Sequence, residues 1–176
     1  MYYLTSVGID SSKIPLVGSA NKPAPPKYPG KLILKSSAFE NMGVIPDKYT
    51  CKGENINPPL EINDLPAETQ SLVLILVDPD APIKPFDHWV VFNINPKTTV
   101  ISENAIPGEG ILAQNSYGKG GYQGPCPVSG LHRYEFQIYA LDQKLSISGG
   151  ISKAELTKNM DVHVIDKGVL TGTFGK

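Results

Sequence analysis

Six apolar residues in succession, Leu72 to Val77, predict a strand buried on both faces. It must end at Asp78-Pro79, because proline brings no N–H to a ladder and fixes its own φ. Asp78 is thereby placed at the mouth of a central strand, at the edge of the core. A second apolar run, Trp89 to Ile94, starts directly after His88. A third strand opens at His132: His132, Tyr134, Phe136, Ile138 and Ala140 alternate onto one face, and Arg133, Glu135, Gln137 and Tyr139 onto the other. Three strand ends thus bring carboxylate, imidazole and phenol towards one place.

Weaker patterns fill in the rest. Lys31 to Lys35 predicts a short strand with Leu32 and Leu34 on one face and Ile33 on the other. Phe39 to Thr50 reads as turns and short extended pieces around Gly43, Pro46 and Asp47. Leu60 to Ile62 follows Pro58-Pro59 as a strand, and Val100-Ile101 adds an edge strand. Ser152 with Glu155 three residues on forms a capping box. Leu156, Met160 and Val164 then follow at helical spacing, so a helix is expected over 153–167, with a break near Asn159 allowed. Gly168 is expected to stop it, and Val169 to Phe174 to close the chain as a strand. Pro107 to Gly130 holds ten glycines and prolines, too many for regular structure. Because it delivers the chain to His132, it is expected to be a functional loop. Lys22 to Gly30 is proline-rich and expected to run extended, so residues 1–30 are read as an irregular arm and 31–176 as one domain.

Composition narrows the function classes. Sixteen basic against 17 acidic residues, net −1, give no electrostatic case for nucleic acid. Only one basic residue is arginine, Arg133. It lies on the outer face of its strand and is expected to brace the Asp78–Pro82 loop by pairing with Asp80 through a bidentate fork. No apolar run is long enough to span a membrane. The first 20 residues lack a basic start and a sustained apolar centre, so a cytoplasmic location is expected. Cys51 and Cys126 make neither a disulfide framework nor a metal cluster. A bridge and two reduced thiols both stay open, reduced thiols being the expected state.

What chemistry the constellation can perform is bounded by its donors. His88, His132 and Tyr134 can donate to an oxyanion, and Gly121 and Gly124 let backbone N–H groups approach a ligand closely. Asp78 would repel an anion unless it pairs with a protonated histidine or shares a proton with the guest. His163 is read as structural. No Gly-x-Ser-x-Gly elbow is present, and Cys126, set between Pro125 and Pro127, has no oriented base. A metal-dependent hydrolase using Asp78, Asp80, His88 and His132 is the alternative, although their spacing matches no compact ligand motif.

Asp78-Pro79-Asp80-Ala81-Pro82, His88-Trp89-Val90-Val91, Gly121 to Pro127 and Gly130-Leu131-His132-Arg133-Tyr134 together resemble the phosphatidylethanolamine-binding protein family (also called the Raf kinase inhibitor protein family), in its bacterial and archaeal branch. Tyr49-Thr50-Cys51-Lys52-Gly53, Pro58-Pro59-Leu60 and Gly172-Thr173-Phe174 extend the likeness, which runs from about Lys31 to the C-terminus. The resemblance implies a mainly β fold, with a large central antiparallel sheet on a smaller one and short peripheral helices, one near the C-terminus. It implies a soluble, non-enzymatic protein without a cofactor, whose pocket takes phosphate or a phospholipid headgroup. The carried-over ligand residues are Asp78, Pro79, Ala81, His88, Gly124, Pro125, His132 and Tyr134, with Asp80, Trp89 and Arg133 in support. Inhibition of a serine protease or a kinase is a family role; one alternative is a protease inhibitor acting through an exposed loop, with the pocket vestigial. The oligomeric state, a homodimer included, stays open. Three departures stand out: Ile62 where bacterial relatives carry tryptophan, Val128 in place of a proline, and an N-terminal arm without counterpart.

Overall fold

Leu72, Leu74 and Leu76 point to one side of the central strand and Val73, Ile75 and Val77 to the other, and each set meets a separate apolar cluster. The computed structural model describes residues 28–83 and 85–175; the reading of the proline-rich arm therefore falls almost wholly outside the described residues. Among the described residues eight strands and one α-helix follow in chain order. They are β1 (Ile33–Lys35), β2 (Leu60–Asn63), β3 (Ser71–Asp78), β4 (Phe86–Ile94), β5 (Val100–Ile101), β6 (Ile111–Leu112), β7 (Leu131–Leu141), α1 (Lys153–Met160) and β8 (Val164–Gly175). A 3-10 turn covers Asp47–Tyr49.

The fold is mainly β. The large sheet has the order β6-β4-β3-β7-β8 and the small one β1-β2-β5, with every strand pair antiparallel. Leu34, Leu60, Ile62 and Ile101 from the small sheet pack onto Leu72, Leu74, Leu76, Phe136 and Ile138 of the large one. On the opposite face Leu156 and Met160 of α1 cover Val73, Ile75, Val90 and Phe92. β3 lies between β4 and β7 and is buried along its whole length, which is why its sequence is continuously apolar rather than alternating.

The C-terminal helix is shorter than its pattern predicts. Ser152 caps it as expected, accepting from Glu155 N at 3.2 Å, but α1 ends at Met160, and Val164 to Lys167 belong to β8. Gly168 does not stop a helix; it lies inside β8, paired with Ile138. A Cβ there would stand 2.5 Å from the Leu32 carbonyl oxygen, so this glycine serves the approach of two backbones. Pairing of β8 along the whole of β7 outweighs a weak helical period. Asp166, fully buried, explains where the chain enters: its carboxylate accepts from Gly30, Lys31 and Leu32 N at 2.9–3.1 Å. Burial alone would raise its pKa, but these bonds and one from Lys167 N hold it below the ordinary value.

Candidate functional site

The register of β4 decides where His88 points. Leu76 pairs with Trp89 and Val77 with Asp87, so one extra residue sits in β4 between them. Such a bulge re-aims side chains. Trp89 stays in the inter-sheet core, 1% exposed, and meets Tyr122 edge to face at 5.5 Å. Asp87 turns to the other face, where Lys153 Nζ of α1 lies 2.9 Å from its Oδ1. Strict alternation would send His88 to that face too. Instead its ring lies against Phe86 at 5.1 Å and Tyr134 at 5.4 Å. The loop before β7 clamps the bulge: Ser116 N donates to Asp87 O and Gln123 N to His88 O.

These elements enclose a cavity of about 230 Å³, lined by Asp78, Ala81, Pro82, Phe86, His88, Tyr117, Cys126, Pro127, Val128, His132 and Tyr134. Of the expected ligand set, Asp78, Ala81, His88, His132 and Tyr134 come together here. Pro79, Gly124 and Pro125 do not line it. Gly124 and Pro125 stand behind the wall, where Gly124 N donates to Asn55 Oδ1 at 2.7 Å and Pro125 O accepts from Cys51 N at 3.1 Å. A Cβ on Gly124 would lie 2.4 Å from the Tyr49 carbonyl, so the glycine permits close packing of two loops. Val128, which the resemblance puts at the pocket rim, lines it together with Phe86, Tyr117, Cys126 and Pro127, which the expected ligand set does not include. Phe86 and Tyr117 meet edge to face at 4.9 Å; the bulge and the loop's return path, neither visible as periodicity, bring them there.

Within the cavity each polar group has a definite role. Asp78, 3% exposed, uses Oδ1 to accept from Asp80 N at 2.8 Å and Oδ2 to accept from His132 Nδ1–H at 2.7 Å. The carboxylate that looked repulsive to an anion is thus spent on its own loop and on one imidazole. The other ring nitrogen of His132, Nε2, has no protein partner among the described residues. Arg133 forks onto Asp80 as expected, with Nε and Nη2 each at 2.8 Å, and its backbone N–H donates to the same carboxylate at 3.0 Å. The Asp78–Pro82 loop is therefore tied to the start of β7 through both aspartates.

His88 is 4% exposed, and its Nδ1–H donates to Gln123 O at 2.8 Å. A carbonyl only accepts, so the neutral ring carries its proton on Nδ1 and offers a lone pair at Nε2. Burial lowers its pKa below the ordinary 6.5, against the pull of the Gln123 carbonyl and the Asp78 charge. Tyr134 is fully buried, and its hydroxyl makes no well-directed hydrogen bond among the described residues, although the Asp78 carboxylate and the Cys126 backbone lie close to it. Burial, then the nearby Asp78 carboxylate, push its phenol well up, so it stays a neutral donor. A buried hydroxyl and two imidazole Nε2 edges therefore face the cavity without protein partners, the hydroxyl as a donor and each neutral ring edge as an acceptor.

Among the described residues no three His, Cys, Asp or Glu side chains gather as a metal ion would require. Asp78 is closed onto His132 and Asp80 onto Arg133, which takes both carboxylates out of a common coordination sphere. The expectation of two reduced thiols is overturned: Cys51 and Cys126 form a disulfide across 75 residues, with Cα atoms 5.4 Å apart. The Cys51 N–Pro125 O bond sets the two chains side by side, a closeness that spacing in the sequence does not disclose.

Comparison with known proteins agrees with this architecture. A UPF0098 protein of Methanothermobacter thermautotrophicus is 46% identical over 146 residues, covering 80% of this chain and 97% of that protein. A UPF0098 protein of Pyrococcus horikoshii is 45% identical, covering 82% and 77% respectively. The crystal structure of a phosphatidylethanolamine-binding protein homologue from Chlamydia trachomatis superposes with a TM-score of 0.80 at 40% identity, covering 84% of this chain and 99% of that one. YbcL of Escherichia coli, at 24% identity, shares the fold with a TM-score of 0.77, covering 83% of this chain and 99% of its own. The sequence profile of the phosphatidylethanolamine-binding protein family matches residues 35–175, and the chain belongs to that family.

Proposed function

We propose that the chain is a non-enzymatic binding protein whose cavity between β3, β4 and β7 holds a phosphate-like anion, free or as a phospholipid headgroup. The observation that carries this reading is the buried Tyr134 hydroxyl without a partner, set among Asp78, His88 and His132 in one cavity. Neither the cysteine nor the carboxylate of the lining is free to act as a nucleophile: the cysteine is bridged and the one carboxylate is doubly bonded. Capture rather than turnover fits such a set.

Neutral His88 is an acceptor at Nε2, so an anion must be met by a proton there. Either the imidazole takes one up, or the phosphate brings it as a P–OH group. Binding of the dianion then consumes about one proton, while the monoanion brings its own. Affinity therefore falls, up to roughly tenfold per pH unit, once pH rises past both the lowered His88 pKa and the range of the phosphate monoanion. Calorimetric titration with inorganic phosphate from pH 5 to 8, in two buffers of different ionisation enthalpy, measures both quantities. Saturable binding with proton uptake supports the reading. Absence of binding at millimolar phosphate at pH 5 overturns it. Any action on a serine protease or kinase would run through occupancy of this cavity, and belongs in an assay with and without phosphate. The disulfide suits an oxidising compartment, or a cytoplasm of the disulfide-rich kind found in hyperthermophiles.

A further inference from the structure

The wall of the cavity contributed by Cys126 to Val128 is anchored differently from the rest. Just before it, Tyr122 Oη donates to Tyr49 O at 2.7 Å, Gly124 N to Asn55 Oδ1, and Cys51 N to Pro125 O. From Cys126 to Gly130, among the described residues, no backbone–backbone hydrogen bond runs to the remainder of the protein. The stretch ends at Gly130, in the left-handed region with φ 76° and open space around it. Its covalent tether is the bridge to Cys51. Both bridged residues are exposed, so a thiol can reach the sulfurs without prior unfolding.

We propose that the Cys51–Cys126 disulfide is a redox latch on the binding cavity: oxidised, it holds the Cys126–Val128 wall in place; reduced, it frees the wall and weakens retention of the anion. The inference rests on the anion-binding reading of the cavity. The reductant is a cellular dithiol. One of its thiolates attacks a bridge sulfur, forming a mixed disulfide and expelling the other cysteine as a thiolate. Its second thiol then displaces the protein sulfur, leaving two protein thiols and an oxidised reductant, with two electrons and two protons transferred. The latch acts on position, not on charge, because the Asp78–His132 pair and the His88–Gln123 bond do not involve the bridge. His88 nevertheless reports wall movement, since Gln123 lies three residues before Cys126 in the chain.

The test compares full-length oxidised protein, protein reduced with dithiothreitol, and the Cys51→Ala variant, which removes the bridge while leaving residue 126 a cysteine. Inorganic phosphate binding is measured by calorimetry, and the ring N–H proton of His88 by NMR without any ligand. The expected result is about tenfold weaker phosphate binding on reduction, as when the competent wall falls to roughly a tenth of the population. Cys51→Ala should show the same weakening and no response to reductant, with the His88 signal broadened in both. Equal phosphate affinity in oxidised and folded reduced protein overturns the latch. Global unfolding on reduction, seen by circular dichroism, also overturns it, because the bridge is then a structural staple. If no form binds phosphate, the anion reading fails and the latch on anion retention fails with it, whereas binding that is equal in the oxidised and reduced forms overturns the latch alone.

Discussion

Two aspartate–histidine pairs lie towards opposite ends of β7, and only one of them belongs to a candidate site. Near its start His132 Nδ1 meets Asp78 Oδ2 at 2.7 Å, the side chains 12% and 4% exposed. Beyond its other end His163 Nδ1 meets Asp142 Oδ1 at 3.0 Å, at 28% and 49% exposure. The second pair is closed: Gln143 Nε2 lies 3.0 Å from His163 Nε2, so both ring nitrogens have protein partners and water reaches the rest. The first pair is open on one side, with His132 Nε2 unmatched beside a cavity that also holds His88 and an orphaned Tyr134 hydroxyl. Identical residue types therefore teach little by themselves. What separates the two is burial, an uncommitted ring edge and space for a guest.

The sharpest way to break this contrast is to remove His132. In His132→Ala the Asp78 carboxylate is left buried without its partner, a loss of about 3 kcal/mol in stability, and phosphate binding should fall at least a hundredfold. Chemical denaturation and calorimetry on the same preparation measure both. Tyr134→Phe comes next: about tenfold weaker phosphate binding, with stability unchanged or raised by up to about 1 kcal/mol, because an unsatisfied buried hydroxyl is removed. A stability loss there would mean that the hydroxyl has a protein partner after all. A pH titration of unliganded stability tests His88. Its folded pKa lies below the unfolded value of 6.5, so its contribution is present above that pH and is lost as pH falls through the folded pKa. In His88→Gln that acid-side loss should shrink. The smallest effect is expected at the other pair. His163→Ala should change stability by less than about 0.5 kcal/mol and leave phosphate affinity unchanged.

Much of this arrangement was legible in the chain. The apolar run of β3 fixed a strand buried on both faces, alternation placed His132 and Tyr134 together on β7, and a lone arginine pointed to the fork on Asp80. The site lost legibility wherever tertiary geometry overrides period. A bulge at His88 moves one side chain to the opposite face, and no residue type announces it. The Cys51–Cys126 bridge depends on two loops meeting, which spacing does not encode. The C-terminal helix was overextended for a related reason. Leu156, Met160 and Val164 share a helical period, but Val164 has a better partner in Leu141 of β7. Asp166, read only as part of that helix, is instead the clamp on the incoming chain, a role set by three backbone N–H groups about 135 residues away in sequence.

The central claim is that Asp78, His88, His132 and Tyr134 surround a place for a tetrahedral oxyanion. A crystal grown in sodium phosphate near pH 5.5 examines that place directly. The account predicts tetrahedral density within hydrogen-bonding distance of Tyr134 Oη and of the Nε2 atoms of His88 and His132. An ordered cavity holding only water at saturating phosphate, with the Tyr134 hydroxyl bonded to protein, would contradict it.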